Sequence, residues 1–293
     1  MKKRLFLLLT VFCVPTLLTK IKIAQIDPAV VAREIEDRII FEMEKNNLSG
    51  GVVGLSGGID STLTAFLTKR AFDRHNSQTG KKELKLFALV MPSNSNQKAD
   101  QLDGMRVAQF LGIEYKIINI QPILDSLLVV DSQTFANRFD LGNAASRVRM
   151  VLLYAHASPR NAMVMGTGNA DEDYCIGYFT KFGDGGVDCN PIGELSKRNV
   201  RNLARFVGVP EDLASRVPTA GLWAGQTDEA ELGYSYNEVE LVMAGFTQRL
   251  TTDEICKETG IKLVIIQDII KRHNMTEHKR QLPWVPNITQ NYE

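Results

Sequence analysis

The chain has 293 residues, 44% of them hydrophobic and 23% charged, with 34 basic side chains balancing 34 acidic ones. That is the make-up of an ordinary globular protein able to bury a full core, and it excludes the global basic field expected of a nucleic-acid binder. The cysteines Cys13, Cys175, Cys189 and Cys256 form no CxxC or Cys/His cluster, which excludes a disulfide frame or zinc site and suits free thiols in a reducing compartment.

The N-terminus reads MKKRLFLLLTVFCVPTLL, a basic start followed by a mostly apolar run. This has the outline of a signal peptide, but no A-x-A cleavage site follows and Pro15 interrupts it. The run is too short for a comfortable membrane span, so no stable membrane association is expected. A signal-like extension, an upstream start and an amphipathic interface segment remain open readings. Residues 1–25 are set apart as this apolar extension, and residues 26–293 are expected to form one domain.

Residues 30–44 place Val30, Val31, Ile35, Ile39, Ile40 and Met43 at near-helical spacing, with Pro28 suited to the first turn. The segment GGVVGLSGGIDS follows: a short apolar strand (Val52, Val53, Leu55) running into a glycine turn, then a helix with Leu63, Phe66, Leu67 and Ala71 on one side. A strand feeding a glycine-rich turn at a helix N-terminus is a backbone built for phosphate. Gly57 and Gly58 allow close approach, the N–H groups point at the anion, and the helix dipole favours its charge. The turn is neither a Walker loop nor a dinucleotide GxGxxG fingerprint.

Further along, residues 84–91 read as a second strand ended by Pro92, 97–111 as a helix closed by Gly112, and 113–120 as a third strand. After a helical stretch, residues 162–165 (AMVM) give a fourth strand that ends in the turn Gly166-Thr167-Gly168-Asn169. Short, nearly continuous apolar strands alternating with helices predict an α/β fold: a Rossmann-like parallel sheet with helices on both faces. In such sheets ligands bind beyond the carboxyl ends of the strands, so both glycine turns should face one crevice. The strings 166–198 and 218–236 are rich in glycine and charge without helical period, and read as loops around a site.

The SGGxDS turn resembles that of the PP-loop ATP pyrophosphatases, which cut ATP between its α and β phosphates. The combination GTGN…E…GYFTKFGDGGVD, PTAGLWAGQTDEAELG and TEHKR is more selective and resembles the NAD synthetase family over nearly the whole chain. That resemblance implies an adenine nucleotide α-hydrolase-like fold and an ATP-dependent amidation of deamido-NAD to NAD, the last step of NAD biosynthesis. The route would run through a deamido-NAD adenylate, releasing AMP and pyrophosphate. It also implies Mg²⁺, a cytoplasmic homodimer, and no nucleic-acid partner. Glutamine-using relatives carry an added amidase domain for which this length has no room, so free ammonia is the expected donor.

Carried over residue by residue, the resemblance gives Gly54, Leu55, Ser56, Gly57, Gly58, Ile59, Asp60 and Ser61 to ATP, together with Thr167, Lys197 and Thr219. Asp60 and Glu172 match the Mg²⁺ carboxylates. Arg147, Lys181, Asp188, His278 and Lys279 match contacts to deamido-NAD. The chain departs from the family pattern at Ile59, where glutamine is common, and at Gly221, where an aspartate is common. One extra residue between Glu172 and Gly177 sets Asp171 and Asp173 beside Glu172 as competitors for the metal position. Two other classes are weighed. A tRNA-thiolating PP-loop enzyme would carry a basic face and catalytic cysteines, and a nucleotide sensor would be expected to lose the metal carboxylates.

Overall fold

The computed structural model describes residues 21–80, 83–216 and 227–287. The N-terminal segment 1–20 and the stretch holding Thr219 and Gly221 lie outside the described residues. Ile21 is buried among the C-terminal helices, and Lys22 N donates to Gln248 Oε1 at 3.1 Å, so residues just ahead of the first helix are part of the packed structure.

Helix α1 (Pro28–Lys45) starts where Asp27 accepts from the N–H groups of Ala29 and Val30, and the fixed φ of Pro28 suits its first turn. The buried side of α1 is Ala32, Glu36, Ile39 and Met43. Strand β1 (Gly50–Gly54) leads into α2 (Ile59–Thr79), β2 (Lys85–Val90), α3 (Lys98–Phe110) and β3 (Glu114–Ile117). Helices α4 (Gln121–Val130), α5 (Ser132–Phe135) and α6 (Arg138–Ala157) then cross to β4 (Ala162–Met165). A π-helical turn (Ala170–Ile176) and helices α7 (Lys197–Phe206), α8 (Glu211–Ala214), α9 (Asp228–Leu232) and α10 (Tyr236–Thr247) follow. Helices α11 (Thr252–Thr259), α12 (Leu263–Met275) and α13 (Glu277–Arg280) complete the described chain.

The strands form one parallel sheet in the order β3-β2-β1-β4, with Val52 of β1 paired to Phe87 of β2 and to Val164 of β4. Side chains alternate between the faces, as the two-residue strand period requires. Val53, Leu86, Ala88 and Met165 join the core under α1, α2 and α7. Val52, Phe87, Leu89 and Val164 join the core under α4 and α6. A separate cluster packs α10, α11 and α12 against the π-helical turn through Ile176, Val239, Val242 and Ile266.

The expected α/β fold is therefore present, with differences at its edges. β3 pairs over four residues rather than eight, because its partner β2 ends at Val90 and Pro92 has no N–H to continue the ladder. Residues 170–176, read as loop for want of helical period, form the π turn, held by burial of Cys175 and Ile176 and by the cap from Asn169.

Helix α2 is buried on most sides in its first half, threonines included. Thr62 Oγ1 donates to Gly58 O at 2.8 Å, Thr64 Oγ1 to Gly166 O at 3.2 Å and Thr68 Oγ1 to Thr64 O at 2.7 Å, so no described threonine hydroxyl is buried without a partner here. Leu67, fully buried in this helix, is the measure of its packing. Leu67→Ala should lower unfolding free energy by about 2–5 kcal/mol, read from the denaturant midpoint at unchanged slope.

Candidate active site

Topology decides where the site lies. The chain leaves β1 toward β2 and β3 on one side and returns to β4 on the other, so β1 and β4 flank the switch point of the sheet. The turns after these two strands open side by side at the carboxyl ends. Between them is a cavity of about 520 Å³. It is bordered by most of the expected ATP set, from Gly54 to Ser61 apart from Gly57, with Thr167, Glu172, Lys197 and Lys279.

The first turn is ordered by its own side chains. Ser56 N donates to Ser61 Oγ at 3.3 Å, Ser61 Oγ donates to Gly58 O at 3.1 Å, and Gly58 N donates to Ser56 Oγ at 3.2 Å. Gly57 has φ of +83°, and a Cβ there would stand 2.4 Å from Asp100 O, so only glycine fits. Ile59 is 2% exposed and joins the core, so it borders the cavity without bringing a polar side chain to it.

The second turn delivers the charges. Asn169, fully buried, donates from Nδ2 to Asp60 Oδ1 at 3.1 Å and accepts Glu172 N at 3.1 Å, tying the two carboxylate-bearing elements together. Lys197, at the start of α7, donates from Nζ to Asp60 Oδ2 and to Glu172 Oε1, each at 2.7 Å. Its side chain is 2% exposed. Burial alone would lower its pKa, but Asp60 and Glu172 outweigh that and keep the ammonium charged. The Tyr236 ring lies 5.2 Å from Lys197 Nζ, and its Oη is 3.0 Å from Glu172 Oε1 and 2.8 Å from Asp228 Oδ2. The single phenol proton of Tyr236 is thus shared between Glu172 and Asp228, which ties both carboxyl groups to α10.

The three neighbouring acids have different surroundings. Asp171 Oδ2 accepts Lys197 N at 2.7 Å, and burial pushes its carboxyl up to about 7. Asp173 accepts Asn190 Nδ2 at 3.2 Å and is raised well above the usual range by burial, with Asp184 and Glu172 adding to it. Glu172 alone of the three shares Lys197 Nζ with Asp60.

Asp60 and Glu172 are hard oxygen donors, the type Mg²⁺ prefers. Among the described residues no group of three or more His, Cys, Asp or Glu side chains could hold a metal ion. Mg²⁺ would therefore take its other ligands from phosphate and water, the usual arrangement for this ion. Within those limits the residues fit it, provided the Lys197 ammonium gives way.

Residues 31–283 match the NAD synthase family. The chain belongs to that family. An NH(3)-dependent NAD(+) synthetase from Methanosarcina acetivorans is 43% identical over 249 residues, covering 84% of this chain and 93% of the relative. Among solved structures, an NMN synthetase from Francisella tularensis aligns with a TM-score of 0.76 at 35% identity, over 90% of this chain and 100% of that one. An NH3-dependent NAD synthetase from Campylobacter jejuni, in complex with the nitrate ion, gives 0.72 at 31% identity, over 89% and 100%.

In this member of the NAD synthase family, the residues expected to meet the dinucleotide do not all converge. Lys279 borders the cavity, its Nζ donating to Gly177 O at 2.9 Å and Phe179 O at 2.7 Å, and burial lowers its pKa. Lys181 Nζ donates to the carbonyls of His278 and Gln281 at the end of α13, and His278 is exposed with Nδ1 3.0 Å from Met275 O. Asp188 accepts from Tyr154 Oη and Val164 N, both at 2.8 Å, and so extends the edge of β4. Arg147 borders a second hollow between α4, α5 and α6.

Two positions along α6, Arg149 does face the cavity, donating from Nε to Met91 O at 3.1 Å and from Nη2 to Asn96 Oδ1 at 2.9 Å. Burial lowers its pKa to about 10. Residues two apart on a helix point in roughly opposite directions, and the run SRVRM carries no sign of which arginine turns inward. Asn169 stood in plain view in the GTGN turn, whereas nothing local marked Tyr236 or Asp228 as neighbours of Glu172. Asn169→Ala removes a buried donor to Asp60 and leaves Glu172 N without its partner. It should cost about 1–3 kcal/mol of stability, measured by chemical denaturation.

Proposed function

We propose that this chain makes NAD by ATP-dependent amidation of deamido-NAD with ammonia. The observation that carries the reading is the meeting of Asp60, Glu172 and Lys197 where the two glycine turns adjoin, in a member of the NAD synthase family. The nicotinate carboxylate oxygen attacks the α-phosphorus of ATP, the bond to the β-phosphate oxygen breaks, and pyrophosphate leaves. The ammonia lone pair then attacks the acyl carbon, the bond to the AMP oxygen breaks, and a proton is released. AMP is a far better leaving group than hydroxide, which is why the carboxylate is activated first.

In this reading Ser56, Gly57, Gly58 and Ser61 hold the departing pyrophosphate, with Leu55, Gly54 and Ile59 shaping the strand and helix around it. Thr167 and Thr219 are assigned to the nucleotide. Lys197 follows the phosphate charge as it moves to the leaving group, an electrostatic role suited to a dry site. Asp60 and Glu172 would hold Mg²⁺, which when bound supplies charge neutralisation along the polyphosphate. Lys279 is placed to meet the dinucleotide from the cavity wall, and Arg149 is added to that set.

A homodimer is part of the proposal. The apolar face of α1, a candidate for the interface, packs on α2 and α7 within this chain. The α4–α6 region instead leaves Val129 86%, Val130 82% and Val151 59% exposed beside the hollow that holds Arg147. A partner on that face would bring Arg147 to a shared dinucleotide site. Lys181, Asp188 and His278 are kept as contacts that form only with substrate bound. Dependence on ATP favours a cytoplasmic setting, and among the described residues no helix is long and apolar enough to cross a membrane.

A second reading differs in the acceptor. The 35% identity to an NMN synthetase favours a nicotinate mononucleotide acceptor, which lacks the adenylyl half. Purified protein with ATP, Mg²⁺, ammonium and each acceptor in turn should release AMP and NAD in equal amounts with deamido-NAD. AMP formed only with the mononucleotide selects the second reading, and AMP with neither rejects both. Asp60→Asn should lower kcat by at least about a hundredfold with an unchanged circular dichroism spectrum. Val151→Asp should shift the protein from dimer to monomer in sedimentation velocity while ATP affinity is retained.

A further inference from the structure

Arg216, just beyond α8, reaches back to the glycine turn although 159 positions separate it from Gly57. Its Nη1 donates to Gly57 O at 3.1 Å and to Asp103 Oδ2 at 2.5 Å, and its Nη2 donates to Asp100 Oδ1 at 2.5 Å. Both acids belong to α3. Asp100 is fixed a second time, since its Oδ2 accepts Gln97 N at 3.1 Å in the capping box of that helix. The same helix touches the turn through its backbone, with Asp100 O occupying the space a Cβ on Gly57 would need. Arg216 and Asp100 both border the cavity that holds Asp60 and Lys197.

This arrangement has two electrostatic consequences. An anion cradle works when consecutive N–H groups face inward, which requires the intervening carbonyls to face outward and find donors there. Arg216 is that donor for Gly57 O, through a charge-assisted bond. In addition, Asp100 and Asp103 put two carboxylates beside a cleft meant for a polyphosphate. A planar guanidinium bonded to both cancels most of that repulsion, which a single ammonium could match only in part.

We propose that Arg216 is a positioning residue for the ATP triphosphate: it holds the Gly57 carbonyl out of the cradle and screens Asp100 and Asp103 from the phosphates. The proposal rests on the ATP-binding reading of this cavity. It assigns Arg216 no contact with the reacting atoms, so its effect should fall on ATP affinity and leave the acceptor untouched.

The test is steady-state kinetics of Arg216→Gln with each substrate varied. The expected result is a rise of about tenfold in KM for ATP with KM for deamido-NAD unchanged. Adding Asp103→Asn to that variant should recover about threefold of the loss, because it removes one of the exposed charges while restoring no hydrogen bond. A parallel rise in both KM values, no recovery in the double variant, or a fall in kcat at unchanged KM for ATP would each overturn the proposal. Arg216→Lys keeps the charge and loses the fork, so it covers the case in which the glutamine variant does not fold. It should show a smaller rise in KM for ATP alone, and an unchanged KM for ATP counts against the proposal. If the wild-type protein makes no NAD, the proposed function fails by itself. Calorimetric ATP affinities of wild-type and variant protein then decide the Arg216 question by the same tenfold criterion.

Discussion

The Lys197 ammonium between Asp60 and Glu172 is the contact on which the site depends. Two carboxylates with 19% and 17% exposed side chains would repel one another across a partly dry cleft, and a lysine at 2% exposure could not remain charged by itself. Together they form one hydrogen-bonded unit that joins three separate elements: the start of α2, the π-helical turn and the start of α7. Removing one member leaves a buried charge uncompensated, so the geometry is held by electrostatic necessity as well as by packing. The same unit is chemically unfinished. It sets two carboxyl groups against a single ammonium, and a polyphosphate bringing its own metal ion would exchange partners with it without exposing an unpaired charge.

The fold serves this unit by placing its parts at the carboxyl ends of β1 and β4, which flank the switch point of the sheet among the described strands. Asn169 then closes the gap, one amide bonding to the Asp60 carboxylate and to the Glu172 backbone. The turn from Ala170 to Ile176 is π-helical, a geometry that recurs where side chains must be aimed at a site. Asp171 and Asp173 are drawn off to other partners by the same geometry, and this leaves Glu172 to face Asp60.

Legibility followed the range of the interaction. The strand-turn-helix around Ser56, strand β4 and the phosphate turn could be read from local pattern, because apolar period and glycine placement are local properties. The pairing of Asp60 with Glu172 was legible only through likeness to a family, since 112 positions separate them and no local rule joins them. Tyr236, Asp228 and Arg216 were not legible at all. Each acts through contacts between elements far apart in sequence, and an ordinary Tyr, Asp or Arg in a polar string carries no mark of its partner. The choice between Arg147 and Arg149 shows the limit most clearly: helical phase places them on different sides of α6, but only the packing of α6 against β1 and β4 decides which side faces the cleft.

That packing bears on how two substrates share one site. The cavity behind Arg149 is continuous with the glycine turn, and the hollow at Arg147 opens on the opposite side of α6, toward an exposed apolar face. A dinucleotide is long and a single nucleotide is not. Under the proposed function, the nicotinate end would reach the α-phosphate of ATP in the cavity that α6 and Phe179 border. The two acceptors would then differ in the adenylyl half that the longer one alone carries past this cavity. The proposed partner on the α4–α6 face would give that half, and Arg147, a second chain to meet.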